Sequence, residues 1–527
     1  MSKVRGVVVL VADQLRADHL GFGGGQVPTP HLDALAAGGT VFDQAYVANP
    51  TCMPNRATIA TGRWPSTHGT RTNGVTLDWD AQTFMRSMQR AGWSTAAVGK
   101  LHFQTMGWPY EDDQLADMAR HAPELVDAAL ADAVERDRPA QWDTWESFDR
   151  HRAAHLELPP DYYGFDTVDL VIGHGDAPGG HYAHWARARG LDPDTVRIMG
   201  DALVGYPGWE QVYQSEVPVE LHPTTYVTER AIDRLEQLAA GDAPFCLFVS
   251  YPDPHHPFAP PGDYWHRVDP SAVELPATFF DRHDRSPEHV RQIVAERGRP
   301  AADPTMTWSP TEEQYRHALA AELGLVSLLD DSIGRILGRL EDLGVADDTA
   351  VVFTADHGDL FGDHGLMLKH FVHYQGVTRV PLIVRTPGGD AGRSSALVSS
   401  ADIAPTLLDL GGVPAYRGIQ GTSLRSLVEG RASAVRPRLL VEEDQPFGLP
   451  GLPGPVHIRT LLTEDARFTV YGGHDVRELY ALGDDADETT NLADTVDGAA
   501  LQARLTADLA AELIRLSDTG IRPAASA

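Results

Sequence analysis

Residues 6–14 read GVVVLVADQ. Val and Leu side chains follow one another here without polar alternation, which suits a strand buried on both faces of a sheet covered by helices. The run ends in a carboxylate and an amide, Asp13 and Gln14. Two later stretches repeat the pattern: PFCLFVSYPDPHH (244–256) and TAVVFTADHGD (349–359). Helical periodicity marks PHLDALAAGG (30–39), TYVTERAIDRLEQLAAG (225–241) and EEQYRHALAAELGLVSLLDDSIGRILGRLEDLG (312–344). The alternation predicts an α/β fold with a large, mixed, mostly parallel sheet sandwiched by helices. Ligands of such sheets gather at the carboxyl ends of the strands. Asp13, His255 and Asp356 all fall at those ends.

A chain of 527 residues is too long for one hydrophobic core. From residue 433 the pattern changes to short alternating segments, RPRLLVEED, HIRTLLTEDARFTVYGG and RELYALGDDADETTNLA, followed by a helical AALQARLTADLAAELIRLSDTG. The expected division is a catalytic domain over 1–432 and a C-terminal subdomain over 433–527, a small antiparallel sheet with one packed helix. Residues 105–222, rich in Asp, Glu, Trp, Tyr and Pro, read as an insertion that shapes the substrate entrance or an oligomer contact. Its patch GHGDAPGGHYAHW (173–185) reads as a polar loop rather than a metal tract.

With 43 Lys and Arg against 74 Asp and Glu, the net charge is −31. That argues against nucleic acid or an anionic membrane as a partner. It also means that an anionic substrate would need a local cluster of positive groups. No apolar run reaches the roughly 18 residues of a membrane span. The N-terminal segment reads as a core strand rather than a signal peptide, so a cytoplasmic location is expected.

Two cysteines make no disulfide framework. Cys246 lies inside an apolar strand and reads as a buried, inert thiol. Cys52, in NPTCMPNRATIATGRWP (49–65), sits in a polar, Pro-punctuated setting. It could be a packing residue, a nucleophile, a metal ligand or a precursor of something else.

Asp13, Gln14, Asp356 and His357 form an oxygen-rich set suited to a hard or borderline divalent cation. Lys100 and His102 alternate in VGKLHF (98–103), so they share a face if that segment is extended. His255 and His256 lie between stiffening prolines in DPHHPFAPP (253–261), and Lys369 follows the Gly-rich DHGDLFGDHGLML.

Taken in order, these pieces resemble the formylglycine-dependent sulfatases of the alkaline phosphatase superfamily. CMPNR fits their C-x-P-x-R signature, and ADQ, GKLH, PHHPF, ADHGDLFGDHG with a following Lys, RVPLIV (379–384) and DIAPTLLDLGGVP (402–414) come in the family's order. ELYALGDDADETTNLA looks like a C-terminal segment of the same family. The resemblance implies an alkaline-phosphatase-like fold and hydrolysis of a sulfate monoester. It further implies that a formylglycine-generating enzyme oxidises Cys52 to an aldehyde, which hydrates to a diol. One diol oxygen is then the nucleophile, held on one divalent cation with Asp13, Gln14, Asp356 and His357, and a covalent sulfo-enzyme intermediate follows. Arg56, Lys100 and Lys369 would neutralise the sulfuryl oxygens. His255 would protonate the leaving alkoxide, and His102 would take a proton from the second diol hydroxyl to expel sulfate. Asn73 matches an Asn that contacts the transferred group.

The Asp/Gln/Asp/His set departs from the commoner family pattern and resembles phosphonate monoester hydrolases and choline sulfatases. Ca2+ is the expected cation, and one carboxylate fewer makes Mn2+ the alternative. Lys100 and His102 stand where phosphonate hydrolases tend to carry Tyr and Thr, which favours a sulfatase. A phosphonate monoester or phosphodiester hydrolase is the alternative. An unmodified or catalytically silent metal-binding homologue is the remote one. The alcohol half of the ester is left open: the 105–222 segment could contact a sugar, an aryl ring or a second subunit of a homo-oligomer.

Overall fold

The computed structural model describes residues 4–131, 133 and 138–522. Nine strands build the main sheet: β1 (Gly6–Ala12), β2 (Thr40–Tyr46), β3 (Ser94–Gly99), β4 (Thr167–Ile172), β5 (Gly179–Gly180), β6 (Phe245–Ser250), β7 (Thr349–Ala355), β8 (Leu382–Arg385) and β9 (Gly392–Ser399), in the order β5-β4-β3-β6-β1-β7-β8-β2-β9. β1 lies at the centre, parallel to β6 (Val8 opposite Leu247) and to β7 (Val8 opposite Val351). β3 runs parallel between β6 and β4. β5 and β8 run antiparallel to their neighbours, so the sheet is mixed but mostly parallel.

The unbroken Val/Leu run of β1 is explained by burial on both faces. Val8, Leu10 and Ala12 pack into one apolar layer with Val227 and Leu235 of the helix Pro223–Ala240 and with Leu319, Leu323 and Val326 of Glu312–Asp342. Val7, Val9 and Val11 pack into the opposite layer, against Ile59 of the helix Cys52–Thr61, Phe84 and Met88 of Phe84–Arg90, and Leu407 of Ile403–Leu410. The helix Glu312–Asp342 begins at a capping box in which Thr311 Oγ1 accepts from Gln314 N (3.2 Å) and Gln314 Oε1 accepts from Thr311 N (2.7 Å).

The 105–222 stretch is woven into this framework rather than laid over it, because β4 and β5 extend the main sheet beyond β3. A second, antiparallel sheet follows in the order β10 (Arg438–Gln445), β11 (Val456–Thr463), β12 (Ala466–Gly472) and β13 (Val476–Ala481). Leu505 and Leu509 of the helix Ala499–Arg515 pack on its Leu440, Leu461, Phe468 and Leu479. Trp64 joins this cluster and donates its indole N–H to Leu440 O (2.9 Å), tying the second sheet to the segment that follows the helix Cys52–Thr61. Among the described residues no helix is long and apolar enough to cross a membrane.

Candidate active site

Five neighbouring strands, β4, β3, β6, β1 and β7, run parallel, so their carboxyl ends line up along one edge. Each delivers a polar side chain there: His174, Lys100, His255, Asp13 and Asp356. Lys100 is brought close by Gly99, whose φ is 103° and where a Cβ would lie 1.8 Å from Ser250 O; only glycine fits. The Lys100 N–H then donates to that same Ser250 O (2.9 Å).

Cys52 is the first residue of the helix Cys52–Thr61, all of which is buried. Arg56 lies four residues on and therefore shares its face. Pro54 stands in the first turn, where the backbone N–H has no intrahelical partner to lose. The spacing of CMPNR thus has a local geometric meaning: thiol and guanidinium point the same way.

The guanidinium of Arg56 is a hub. Its Nε donates to Asp356 Oδ2 (2.7 Å), and its Nη1 donates to Lys100 O (2.6 Å) and Ser250 Oγ (2.7 Å). Its Nη2 lies 3.3 Å from Asp13 Oδ2 and makes no hydrogen bond among the described residues, which leaves its N–H groups for an anionic oxygen. Asp13 Oδ2 also meets Lys100 Nζ. Burial would raise the Asp13 carboxyl, but Lys100 and Arg56 outweigh it and hold it well below the usual carboxylate range. Burial likewise pushes the Cys52 thiol up, while Lys369 and Lys100 pull it down, to about 7 on balance.

Lys369 Nζ sits in a cage of acceptors: His357 Nε2 and His255 Nε2, each at 2.9 Å, Gln14 Oε1 at 3.1 Å and Cys52 Sγ at 3.3 Å. Three of these, Gln14, Cys52 and His357, belong to the ligand set expected from the sequence. Their lone pairs converge on one point, which is the arrangement a cation's ligands need. Ligand atoms of Asp13, Cys52, His255 and His357 all lie within 4.8 Å of one another. Asp356 Oδ1 accepts from Gln14 N (3.0 Å) and stands 3.7 Å from His357 Nε2. Carboxylate, amide and imidazole donors suit a divalent cation.

The remaining expected residues line the same cleft of about 600 Å³. Asn73 Oδ1 accepts from Met53 N (3.2 Å). His102 is buried, and its Nδ1 has no partner among the described residues. Burial, Lys100 and Arg56 push its pKa well down, so it rests as a neutral base. His255 donates Nδ1–H to His256 O (2.5 Å) and accepts from Lys369 on Nε2. Burial, His174 and Lys369 depress its pKa as well. A bound anionic ester beside it would oppose that depression. The second thiol, Cys246, is fully buried in β6, and burial raises it to about 12, in keeping with an inert packing residue.

Sequence reasoning missed three side chains. His174 lies in the patch read as a polar loop, yet its Nε2 meets Lys100 Nζ and stands 3.8 Å from Asp13 Oδ2. It carries only a diluted form of the signal at Asp13, a polar residue just past an apolar run: in TVDLVIGH the first three residues are exposed or half-buried and break the run. Glu146 accepts from the backbone N–H groups of His102 (2.6 Å) and Phe103 (3.0 Å), fixing that turn. Asn55 Oδ1 accepts from Ala48 N (3.2 Å) and Ser400 Oγ (2.6 Å), while its amide donates to Asp356 O.

The profile described as "Sulfatase" matches residues 5–135 and 179–413, and one described as "N-sulphoglucosamine sulphohydrolase, C-terminal" matches 362–515. An arylsulfatase of Clostridium perfringens is 27% identical over 92% of this chain and 89% of its own. A choline-sulfatase of Rhizobium meliloti is 26% identical over 95% of this chain and 85% of its own. Among solved structures, a phosphonate monoester hydrolase from Silicibacter pomeroyi superimposes with a TM-score of 0.76 at 25% identity, covering 98% of this chain and 96% of that one.

Proposed function

The chain belongs to the sulfatase family, and from that premise we propose that it hydrolyses a sulfate monoester to an alcohol and inorganic sulfate in the cleft beside Cys52. The observation that carries this reading is the local concentration of positive charge in a chain of net charge −31. Lys369 touches the Cys52 sulfur, and Lys100 and Arg56 converge on the neighbouring Asp13.

Formylglycine at position 52, made from the cysteine by a generating enzyme, supplies two geminal hydroxyls once hydrated. Cys52 is 2% exposed in the fold, which suits conversion before folding. Asp13, Gln14, Asp356 and His357, with residue 52, would hold one divalent cation, Ca2+ or Mn2+, which supplies Lewis-acid polarisation when bound. Arg56, Lys100 and Lys369 neutralise the non-bridging sulfuryl oxygens, where charge needs stabilising in the transition state. His255 gives a proton to the leaving alkoxide from Nε2, once the ester oxygen has replaced Lys369 at that nitrogen. His102, resting neutral, takes the proton whose loss expels sulfate. Asn73 orients the transferred group. Residues 433–527 serve as the C-terminal subdomain that closes one side of the cleft through Gln445 and Phe447.

The test is kcat/KM for an aryl sulfate, a sulfated monosaccharide, choline sulfate and a phenyl phosphonate monoester, each with Ca2+ and with Mn2+. A sulfate ester turned over faster than the phosphonate supports the proposal. The reverse order overturns it in favour of a phosphonate monoester hydrolase, the reading that likeness to the Silicibacter pomeroyi structure would favour.

A further inference from the structure

His174 lies between the two segments matched by the sulfatase profile, and its ring packs directly on that of His255, with centroids 3.7 Å apart and planes within 13°. The ring of His256 also contacts that of His255, at 4.0 Å between centroids and tilted by 30°. His255 therefore touches two other imidazoles, and only His174 stacks flat on it. Both neighbouring rings are themselves tethered: His256 Nδ1 to Gln14 Nε2 (3.0 Å), and His174 Nε2 to Lys100 Nζ.

The loop that carries His174 is built to aim it. β4 ends at Ile172, and the flanking Gly173 and Gly175 take φ values of 101° and 69°, conformations that favour glycine. At Gly175 a Cβ would come 2.9 Å from Pro257 Cγ, so the loop lies against the segment that follows the two histidines. Asp176 then locks the turn, accepting from Ser215 Oγ (2.6 Å) and Tyr213 OH (2.8 Å). His174 itself lines the cleft. Without it, one face of His255 would open onto that space and its ring could turn.

We propose that His174 is a positioning residue for the leaving-group proton transfer: by stacking on His255 it fixes the ring plane, so that Nε2 points at the ester oxygen. The proposal rests on His255 being the acid, as argued above. In that step sulfur bonds to a deprotonated hydroxyl oxygen of hydrated residue 52 as its S–O bond to the alcohol breaks, and the departing alkoxide oxygen takes the Nε2 proton. His255 is left neutral with its Nδ1–H still on His256 O, and water later restores the Nε2 proton. A misaimed ring matters where the leaving group needs the proton, and little where it departs readily as an anion.

The experiment measures kcat/KM on sulfate esters of graded leaving groups, from nitrophenyl to alkyl, for the cation-loaded wild type, His174→Ala, His174→Phe, His174→Gln and His255→Ala. Misplacement of a catalytic group by about 1 Å can cost 10²-fold. His174→Ala is therefore expected to lose up to about 10²-fold on alkyl esters and far less on nitrophenyl sulfate. His174→Phe keeps a stacking ring and is expected to restore most of the alkyl-ester rate. His174→Gln keeps a partner for Lys100 without the stack and is expected to behave like Ala. If His255→Ala is selective for poor leaving groups but His174→Ala slows all esters equally, or none, positioning is overturned while the acid assignment stands. A Phe variant as impaired as Ala overturns the stacking argument. An unselective His255→Ala overturns the acid assignment itself, and this proposal with it.

Discussion

Arg56 and Asp356 meet at 2.7 Å, Nε to Oδ2, with the two side chains 2% and 0% exposed. The pair is buried under the end of the central sheet, and the same guanidinium also faces Asp13 and two neutral oxygens. Burial opposes the charge on Arg56, but Asp356 and Asp13 raise its pKa. Breaking one partner of a buried pair costs about 3–5 kcal/mol, because the other charge is left uncompensated. Arg56→Ala is therefore expected to lose about that much stability in cation-free protein. Arg56→Lys should recover part of it at most, since an ammonium lacks the planar fork that reaches Asp356, Lys100 O and Ser250 Oγ together. Urea unfolding decides it; equal stability of wild type and the Ala variant would show that the pair is not an energetic hub.

Much of this arrangement is legible in the sequence, for a physical reason. The Val/Leu run of β1 reports two-sided burial directly, and a strand end in such a sheet is a place where ligands bind. Cys52 and Arg56 are readable because their relation is local, one helical turn. His174 is not: its importance depends on β4 lying next to β3, which sets it against Lys100 across 74 residues of chain. The caging of Lys369 is illegible for the same reason, since Gln14, Cys52, His255 and His357 come from four separate strand and helix ends. The β4 strand itself was hidden by TVDLVI, whose exposed and half-buried first residues dilute the apolar pattern.

Lys369 Nζ stands within 3.3 Å of three expected cation ligands, Gln14, Cys52 and His357, so its charge would oppose a divalent cation held there. Removing the ammonium should therefore tighten cation binding while lowering turnover. At 4 Å two unit charges in a protein-like dielectric interact by about 4 kcal/mol. Lys369→Met is accordingly expected to bind Ca2+ and Mn2+ at least about tenfold more tightly by calorimetry, with kcat falling steeply. Unchanged or weaker binding would show that the ammonium is not sited against the cation.

Glu443 on β10 holds the segment that carries Lys369. Its carboxylate accepts from Phe371 N (3.1 and 3.2 Å) and from Gln445 Nε2 (2.8 Å), and it meets His373 Nε2 (2.9 Å) and His370 Nδ1 (3.4 Å). Burial would raise its pKa, but the hydrogen bonds from His370 and His373 depress it far below the usual value. A depressed carboxylate stabilises the fold fully above its unfolded pKa, about 4.3, and loses that contribution as pH falls from there toward the folded value. Glu443→Gln should thus be less stable than wild type at pH 7 by about 3–5 kcal/mol. The gap should narrow steadily below about pH 4.3. Denaturant unfolding across pH 3–7 measures it, and a pH-independent gap would mean that packing rather than ionisation sets the difference.

Cys52 bears the most exposing prediction. Conversion of a cysteine to formylglycine lowers the mass by about 18 Da, and hydration returns nearly the same amount. In active enzyme the peptide carrying residue 52 should therefore appear in aldehyde or hydrate form and take up no iodoacetamide, even after unfolding. Unconverted chain should behave differently in two states. Folded, its thiol is ionisable near neutrality but 2% exposed, so alkylation should be slow. Unfolded, it should react as fast as any free cysteine. Cys52→Ala should keep the fold, because the helix around it is anchored by Arg56 and Asn55, yet lose about 10⁴-fold or more in kcat, as removal of a nucleophile does. A preparation in which Cys52 is fully alkylated on unfolding, and which nevertheless turned over sulfate esters at full rate beforehand, would sink the formylglycine reading and leave the thiol itself as the nucleophile.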